Sequence, residues 1–299
     1  MTKTAWLFPG QGSQTIGMGI DLLELSYAKD KFECASEILG WSLAEICQSE
    51  DDKISRTLYT QPSLYVVETI LADLMREQGY QPDLLAGHSL GEYVALYVAG
   101  VFDWRTGLLL IKRRAELMDS AAGGMMAALI GFKREQLEQQ IEQTPDVVLA
   151  NDNSPAQVVI SGTPAAVEAV LSQVKAKRAI TLNVSGAFHS PLMAAAQAQF
   201  QEVLESVSFK QAQVPVLSNV EPIPTVDAAV LKERLSRQMT SSVRWREICE
   251  RLPSEGIERV VEIGPGTVLT GLIKRTYPNL ILENISSFQS VSQSLISNP

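Results

Sequence analysis

The sequence is poor in cysteine, has no long apolar run and carries no excess of positive charge. Its cysteines, Cys34, Cys47 and Cys249, are three and widely spaced, a pattern that argues against a disulfide framework or a zinc site and is typical of reduced thiols. No apolar run approaches the ~18 residues of a membrane span, and no targeting segment is recognisable at the N-terminus. We therefore expect a cytoplasmic protein without a membrane helix.

The charge excludes another class of partner. Arg and Lys number 25 against 34 Asp and Glu, a formal net charge of -9, and the summed field of such a chain repels nucleic acids and anionic membranes. The length of 299 residues and the 45% hydrophobic content are enough for a full α/β core with a second small domain. We predict a globular protein that binds neither nucleic acid nor membrane.

Alternating strand and helix patterns predict the larger part of the fold. Apolar runs bounded by Gly and Pro predict strands, whereas apolar spacing of three and four predicts helices such as the one over 64–74. The predicted strands cover residues 5–8, 84–86, 215–218 and 259–263. This alternation indicates a parallel sheet covered by helices on both faces, and the Ser- and Gln-rich tail from Ser286 is expected to fray.

The middle of the chain has a different order of predicted strands and helices. Between about residues 125 and 184 the patterns follow the order β-α-β-β-α-β, which is the ferredoxin-like unit. The predicted strands are 126–130, 147–150, 157–160 and 179–184, with helices over 134–143 and 165–175. The sequence thus predicts an α/β-hydrolase-like catalytic domain of residues 1–123 and 191–299, interrupted by a ferredoxin-like inserted domain of residues 124–190.

Residues 87–91 read Gly-His-Ser-Leu-Gly and carry the strongest chemical signal. Gly-x-Ser-x-Gly between a short strand and a helix is the nucleophile elbow of serine acyl chemistry. Glycine on both sides permits the sharp turn that exposes the Ser89 hydroxyl. Since Gly and Ser also cluster in ordinary turns, the flanking strand and helix are what favour a nucleophile.

A serine hydroxyl needs a base, and the chain has only two histidines. His88 is adjacent to Ser89, where neighbouring side chains diverge, so it is expected to pack or hydrogen-bond near the turn. By elimination the base is His189, in a loop before a predicted helix. No aspartate between Ser89 and His189 stands at a strand end, so we predict a Ser-His dyad whose imidazole is oriented by a neutral acceptor.

Four motifs occur in order over the chain: residues 9–14 (Pro-Gly-Gln-Gly-Ser-Gln), 87–92 (Gly-His-Ser-Leu-Gly-Glu), 186–190 (Gly-Ala-Phe-His-Ser) and 262–266 (Glu-Ile-Gly-Pro-Gly). Together with the inserted segment, over about residues 2 to 275, the chain resembles the malonyl-CoA:acyl-carrier-protein transacylases of type II fatty-acid synthesis. A set of motifs in fixed order is far more specific than any one of them.

The resemblance implies a role for each matching position. It places the acyl-enzyme on Ser89 and the base on His189. It implies that the backbone N–H groups of Gln11 and Leu90 form the oxyanion hole. The carbonyl that orients the histidine would belong to Gln238.

The resemblance also implies an acyl pocket. Arg114 would hold the free malonyl carboxylate, because a guanidinium can make two parallel charge-assisted bonds to it; without the resemblance, a Lys-Arg-Arg run is typical of a solvated face. Gln61 and Met118 would line the pocket. Leu90 and Phe188 flank the catalytic pair as in malonyl-selective relatives, which favours malonyl over methylmalonyl groups.

The implied substrates are malonyl-CoA and the phosphopantetheine thiol of holo acyl carrier protein, with no metal and no further cofactor. A monomer is expected. Because such carrier proteins are acidic, a local basic face is expected despite the net charge. Its candidate residues fall in two groups, Lys175, Lys177 and Arg178 on the insertion or Lys274 and Arg275 near the last predicted helix.

Two other functions remain compatible with the motifs. An esterase or thioesterase would use the same elbow and oxyanion hole, but it would add an acid to the dyad and would have an apolar acyl pocket. A non-catalytic scaffold would need neither Ser89 nor His189. The presence of both residues, and of Arg114, favours the transferase.

Overall fold

A computed structural model of the chain describes residues 2–297. Its strands, in chain order, are β1 Thr4–Phe8, β2 Leu84–Gly87, β3 Met125–Phe132, β4 Val147–Ser154, β5 Gln157–Gly162, β6 Ala176–Thr181, β7 Val216–Leu217, β8 Arg259–Ile263 and β9 Ile281–Ile285. Its α-helices are α1 Ser26–Leu39, α2 Leu43–Gln48, α3 Thr57–Glu77, α4 Gly91–Val98, α5 Trp104–Ser120, α6 Arg134–Gln143, α7 Pro164–Gln173, α8 Ala194–Ser206, α9 Ala228–Arg237, α10 Trp245–Ser254, α11 Val268–Lys274 and α12 Phe288–Ser297.

The larger sheet is parallel and has the strand order β7-β2-β1-β8-β9. Strand β1 lies at its centre, and its side chains alternate between two separate cores. Trp6 and Phe8 pack with the core that includes α3, α4 and α5, whereas Ala5 and Leu7 pack with α10 and α11. Burial on both faces explains why β1 is apolar from Ala5 to Phe8, as expected of a parallel strand.

The smaller sheet has the order β4-β5-β3-β6, and its pairs are antiparallel. Ala127 and Leu129 of β3 face α6 and α7 and form a third core with Leu137 and Val167. The alternate residues of β3, such as Met126, pack instead with the core of the larger sheet. The pleat of one strand therefore turns one face of the small sheet toward its own helices and the other toward the rest of the molecule.

Strand β4 ties the small sheet to the loop before α10. The backbone N–H of Asp152 donates to the carbonyl of Val243 at 2.9 Å, and the N–H of Val243 donates to the carbonyl of Ala150 at 2.8 Å. The buried carboxylate of Asp152 also pairs with Arg246 at 3.0 Å and with Arg134 at 2.7 Å. These bonds fix the small sheet against the loop before α10.

Two local expectations were wrong. The last strand of the small sheet, β6, begins at Ala176, three residues before the predicted segment, because it is an exposed edge strand whose sequence carries no apolar alternation. The tail from Ser286, expected to fray, forms α12 after β9, and there the N–H of Phe288 donates to Asp21 and Val291 is buried.

Helix α3 carries a buried carboxyl group. Glu68 is fully buried, and over residues 2–297 neither of its carboxyl oxygens has a hydrogen-bond partner. Burial, and next the nearby carboxylate of Glu262, raise the pKa of Glu68 well above its ordinary value. The group therefore folds as the neutral acid.

We expect Glu68→Gln to gain stability relative to the wild type as pH rises. The unfolded chain releases this proton near the ordinary pKa of 4.5, whereas the folded chain keeps it. The wild-type free energy of unfolding should therefore fall, by up to about 1.4 kcal/mol per pH unit, until the folded pKa is reached. Urea unfolding of both proteins at pH 5, 6 and 7 measures the difference. Glu33→Gln, at a side chain 65% exposed, is the surface control, and a difference between wild type and Glu68→Gln that did not change with pH would contradict the assignment.

Candidate active site

Ser89 occupies a strained turn between β2 and α4. Its φ is +52°, in the left-handed region of backbone conformation that residues other than glycine rarely adopt. The turn is closely packed on both sides, since a Cβ at Gly87 would lie 1.9 Å from the carbonyl carbon of Gly91, and one at Gly91 would lie 2.0 Å from the carbonyl oxygen of Phe8. The tightness of the packing requires both glycines and leaves the Ser89 hydroxyl facing a cavity.

His189 lies in the loop between β6 and α8, also at a positive φ, +57°. Its Nε2 is 2.8 Å from Ser89 Oγ. Its Nδ1 lies 3.0 Å from the backbone carbonyl oxygen of Gln238 and 3.2 Å from that of Ser241. Since carbonyl oxygens only accept, Nδ1 carries the proton and Nε2 is free to accept the serine proton. The geometry is that of a dyad oriented by neutral acceptors.

The other histidine has a different environment. His88 Nε2 lies 2.9 Å from Asn153 Oδ1 of β4, and its ring lies against Trp245, with ring centroids 5.4 Å apart. His88 therefore packs and hydrogen-bonds near the turn, as predicted from the sequence, and it also joins the elbow to the small sheet.

Arg114 on α5 points inward and is only 1% exposed. Its Nη1 donates to Gln61 Oε1 at 2.6 Å, and its Nη2 donates to Ser89 Oγ at 2.9 Å and to Gln238 Oε1 at 3.0 Å. The ring of Tyr93 lies 5.4 Å from the guanidinium carbon. A buried cation thus contacts the hydroxyl that faces the imidazole, and its direct hydrogen-bond partners are all neutral.

The remaining residues of the run, Lys112 and Arg113, are half-buried and point away from the cavity at Ser89. The side chain of Arg113 is 38% exposed and donates to Gln199, and Lys112 donates to the backbone of Ile38. Because successive residues of a helix point in different directions, only Arg114 of these three cations faces the cavity.

The cavity above Ser89 has a volume of about 80 Å³ and collects the predicted site residues. Its lining includes Gln11, Gln61, Ser89, Leu90, Arg114, Met118, Phe188 and His189, together with Met126, Asn151, Leu182 and Val184 from the small sheet and the segment after it. Gln61 Nε2 lies 3.3 Å from Met118 Sδ, which links two of the pocket residues. Gln238 lies behind this lining and reaches it through its bonds to His189 and Arg114.

Two polar residues that the sequence analysis did not assign support the elbow. Asn219 accepts from the Ser89 backbone N–H at 2.6 Å and donates to the Gly87 carbonyl at 2.6 Å. Glu92 accepts from the Asn219 backbone N–H at 3.1 Å and from Gln238 Nε2 at 2.7 Å. The position of Asn219, two residues after the end of β7, was a usable signal, because ligand-binding residues gather at the carboxyl ends of parallel strands.

We expect the serine to be reactive at unusually low pH. Burial, and next the positive charge of Arg114, lower the pKa of His189 to about 3, so the imidazole is the neutral acceptor at pH values where an ordinary histidine is protonated. The rate at which a sulfonyl fluoride labels Ser89 should stay level from pH 8 down to pH 5 and fall only as pH approaches 3. Circular dichroism at each pH is the control for folding. A midpoint near 6.5 with the fold intact would contradict this.

Over residues 2–297, no group of three or more His, Cys, Asp or Glu side chains is arranged to hold a metal ion. Within the same residues, no helix combines the length and the apolar character needed to cross a membrane.

Comparison with known proteins identifies relatives along nearly the whole chain. Residues 5–294 match the family described as acyl transferase domain. A malonyl CoA-acyl carrier protein transacylase of Synechocystis sp. is 58% identical over 290 residues, which cover 97% of this chain and 99% of the relative.

Two solved structures match the fold closely. The crystal structure of the Synechocystis sp. malonyl-CoA:ACP transacylase has a TM-score of 0.96 at 57% identity and covers 97% of this chain and 99% of that one. A malonyl-transacylase solved in complex with a type II PKS acyl-carrier protein has a TM-score of 0.93 at 36% identity and covers 99% of this chain and 100% of that one. The parallel sheet with an additional antiparallel sheet is therefore the architecture of these relatives.

Proposed function

The chain belongs to the acyl transferase domain family, and from this premise we propose that it transfers a malonyl group from malonyl-CoA to the phosphopantetheine thiol of acyl carrier protein, supplying the extender unit of fatty-acid synthesis. One observation carries the proposal. The Ser89 hydroxyl lies between an imidazole at 2.8 Å and a buried guanidinium at 2.9 Å. A base and a fixed cation at one hydroxyl suit the transfer of an acyl group that ends in a carboxylate.

In the first half-reaction Ser89 Oγ attacks the thioester carbonyl while its proton passes to His189 Nε2. The new Oγ–carbon bond forms a tetrahedral intermediate, and the carbon–sulfur bond then breaks. His189 returns the proton to the sulfur, so coenzyme A leaves as the thiol and the malonyl group remains as an ester on Ser89.

The oxyanion of that intermediate would be held by the backbone N–H groups of Gln11 and Leu90. Within residues 2–297, neither N–H is bonded to another backbone carbonyl, and both residues line the cavity at Ser89. The Gln11 side chain is held by Thr57, to which its Nε2 donates at 3.0 Å. Two N–H groups fixed before the substrate arrives stabilise developing charge without reorganisation.

The second half-reaction reverses the first with a different thiol. The phosphopantetheine thiol gives its proton to His189, its sulfur attacks the malonyl ester, and the proton returns to Ser89 Oγ as the ester bond breaks. The carrier leaves as malonyl thioester. The proposed cycle is balanced without a metal or any further cofactor.

Arg114 would select the acyl group. When the malonyl carboxylate enters, the guanidinium can exchange its bonds to neutral partners for charge-assisted bonds to the substrate. Gln61 holds one edge of the guanidinium, at 2.6 Å, and Met118 and Phe188 close the pocket with apolar surface. The small cavity and its buried cation together favour a short acyl group with a terminal carboxylate.

The architecture also suggests how the site is assembled. We interpret the parallel sheet with its Ser89 elbow as an α/β-hydrolase-like catalytic domain, residues 1–123 and 191–299. We interpret residues 124–190 as a ferredoxin-like inserted domain, since its strand order β4-β5-β3-β6 and its helix placement are those of that unit. Residues such as Met126 and Leu182 would then close the catalytic cavity from the insertion.

The acidic carrier protein would approach from the side of the insertion. Lys177 and Arg178 are exposed on β6, the strand that runs into Leu182 of the cavity lining, and Lys175 precedes them. Lys274 and Arg275 at the end of α11 are the alternative basic group. The enzyme would act as a cytoplasmic monomer.

Mixing the protein with malonyl-CoA and weighing the intact chain tests the proposed function. A stable gain of one malonyl group, lost on adding holo carrier protein, is the expected result. Free coenzyme A without a lasting adduct would indicate a thioesterase, and no gain and no coenzyme A would indicate a non-catalytic protein; either outcome would overturn the proposal.

A further inference from the structure

The side chain and backbone of Gln238 join four groups of the active site. Its backbone carbonyl accepts from His189 Nδ1 at 3.0 Å, and its Oε1 accepts from Arg114 Nη2 at 3.0 Å. Its Nε2 donates to the Ser89 carbonyl at 2.9 Å and to Glu92 Oε2 at 2.7 Å. A residue that fixes the position of Gln238 therefore influences His189, Arg114 and Ser89 together.

Glu92 fixes it from the first turn of α4. The residue is 1% exposed, and its Oε2 also accepts from the backbone N–H of Asn219 at 3.1 Å. Its other oxygen, Oε1, has no hydrogen-bond partner over residues 2–297. A carboxyl group so deeply buried is costly unless a nearby positive charge or several hydrogen bonds offset the burial.

The charges around Glu92 indicate what offsets its burial. Burial raises the pKa of Glu92, and the hydrogen bonds from Gln238 and Asn219 together with the charge of Arg114 oppose that rise. The effect is reciprocal, because burial lowers the pKa of Arg114, whereas Tyr93 and, to a smaller extent, the charge of Glu92 raise it. The two buried groups favour each other's ionised form across the Gln238 amide.

We propose that Glu92 is the counter-charge of the active site: as a carboxylate it balances the Arg114 cation through Gln238 and stabilises the positive charge that forms on His189 during serine acylation. In Ser-His-Asp triads an acid contacts the imidazole directly and does this work. Here two backbone carbonyls orient the His189 ring. The Glu92 carboxylate does not contact the ring and is separated from it by Gln238, whose side-chain amide it binds. Glu92 is thus a positioning and electrostatic residue that touches neither substrate nor base, and the inference rests on the proposed acyl transfer.

Glu92→Gln is the discriminating variant, because a glutamine Oε1 can still accept from Gln238 Nε2 and from the Asn219 N–H while the charge is lost. The rate of serine acylation by malonyl-CoA should fall about tenfold, since the imidazolium loses an opposite charge. The inhibition constant of free malonate should fall at least about threefold, since a repelling charge near Arg114 is gone. If Glu92 had a purely structural role, Glu92→Gln would weaken both serine acylation and malonate binding.

Glu68→Gln is the control for replacing a buried carboxyl group with an amide, because Glu68 is equally buried, is already neutral and has no hydrogen bond to the site, and both readouts should match the wild type. Glu92→Asp keeps the charge on a shorter arm, so its malonate inhibition constant should stay near the wild-type value even if acylation slows. Wild-type behaviour of Glu92→Gln, parallel weakening in both assays, or equal malonate constants for Glu92→Gln and Glu92→Asp would each overturn the proposal.

The same experiment separates this inference from the proposed function. A wild-type protein that takes up no malonyl group would refute malonyl transfer, while malonate binding to the wild type and to Glu92→Gln would still decide whether Glu92 opposes an anion at Arg114. A wild type that is malonylated normally, with Glu92→Gln indistinguishable from it, would refute the role of Glu92 alone.

Discussion

Replacing Ser89 with alanine should abolish the acyl-enzyme and lower the rate of malonyl transfer by roughly four orders of magnitude or more. The proposed cycle passes through an ester on Ser89 Oγ, and among residues 2–297 no other hydroxyl is hydrogen-bonded to His189 Nε2. Alanine retains the Cβ, so the turn at φ +52° keeps the strain that it has with serine. The loss should therefore be chemical and should leave the thermal midpoint nearly unchanged.

Intact mass after mixing with malonyl-CoA measures the loss, and peptide mapping of the wild-type adduct should place the added mass on the peptide that contains Ser89. Ser185→Ala is the matched control, because its hydroxyl donates to the Met118 carbonyl near the cavity and not to His189. A stable malonyl adduct on Ser89→Ala would refute the assignment of the nucleophile.

Replacing Arg114 with alanine should remove the preference for malonyl over acetyl donors. We expect kcat/KM for malonyl-CoA to fall about a hundredfold or more, corresponding to ~3 kcal/mol of lost interaction with the carboxylate. The value for acetyl-CoA should change far less, because an acetyl group presents no carboxylate. The ratio of the two donors is the internal measure, since any general damage to the site lowers both.

Arg114→Lys separates charge from geometry. Lysine keeps a cation but cannot make two parallel bonds to a carboxylate, so the ratio should lie between those of the wild type and the alanine variant. Arg113→Ala, on the same helix but with a side chain 38% exposed, should leave the ratio unchanged. A ratio that survives in Arg114→Ala would remove this residue from the acyl pocket.

The agreement between sequence and structure is best where chemistry is local. The elbow at Ser89 follows from two glycines within a five-residue motif, and the packing around Gly87 and Gly91 explains why the motif is strict. His189 could be inferred because the chain has just two histidines and one is adjacent to the serine. The dyad followed from the lack of a suitable aspartate.

Agreement is weaker where a residue acts through the fold. The inward orientation of Arg114 could be assigned from a family resemblance but not from a Lys-Arg-Arg run, whose three side chains look alike until the helix is packed. Asn219 and Glu92 lie 127 residues apart, and the sequence analysis assigned neither a role. The exposed strand β6 was misplaced because an edge strand needs no apolar alternation.

The sequence by itself determined the alternation of strands and helices, the element order of the small sheet, and the choice of Ser89 and His189 as the proposed nucleophile and base, because each depends on a local pattern or on the scarcity of a residue type. Without the family resemblance, only the tertiary structure decides which of the three cations faces Ser89, and it alone shows that Glu92 is linked to the Arg114 cation through the Gln238 amide. Charges and hydrogen bonds act over a few ångströms, and the residues concerned come within that range only when the chain has folded.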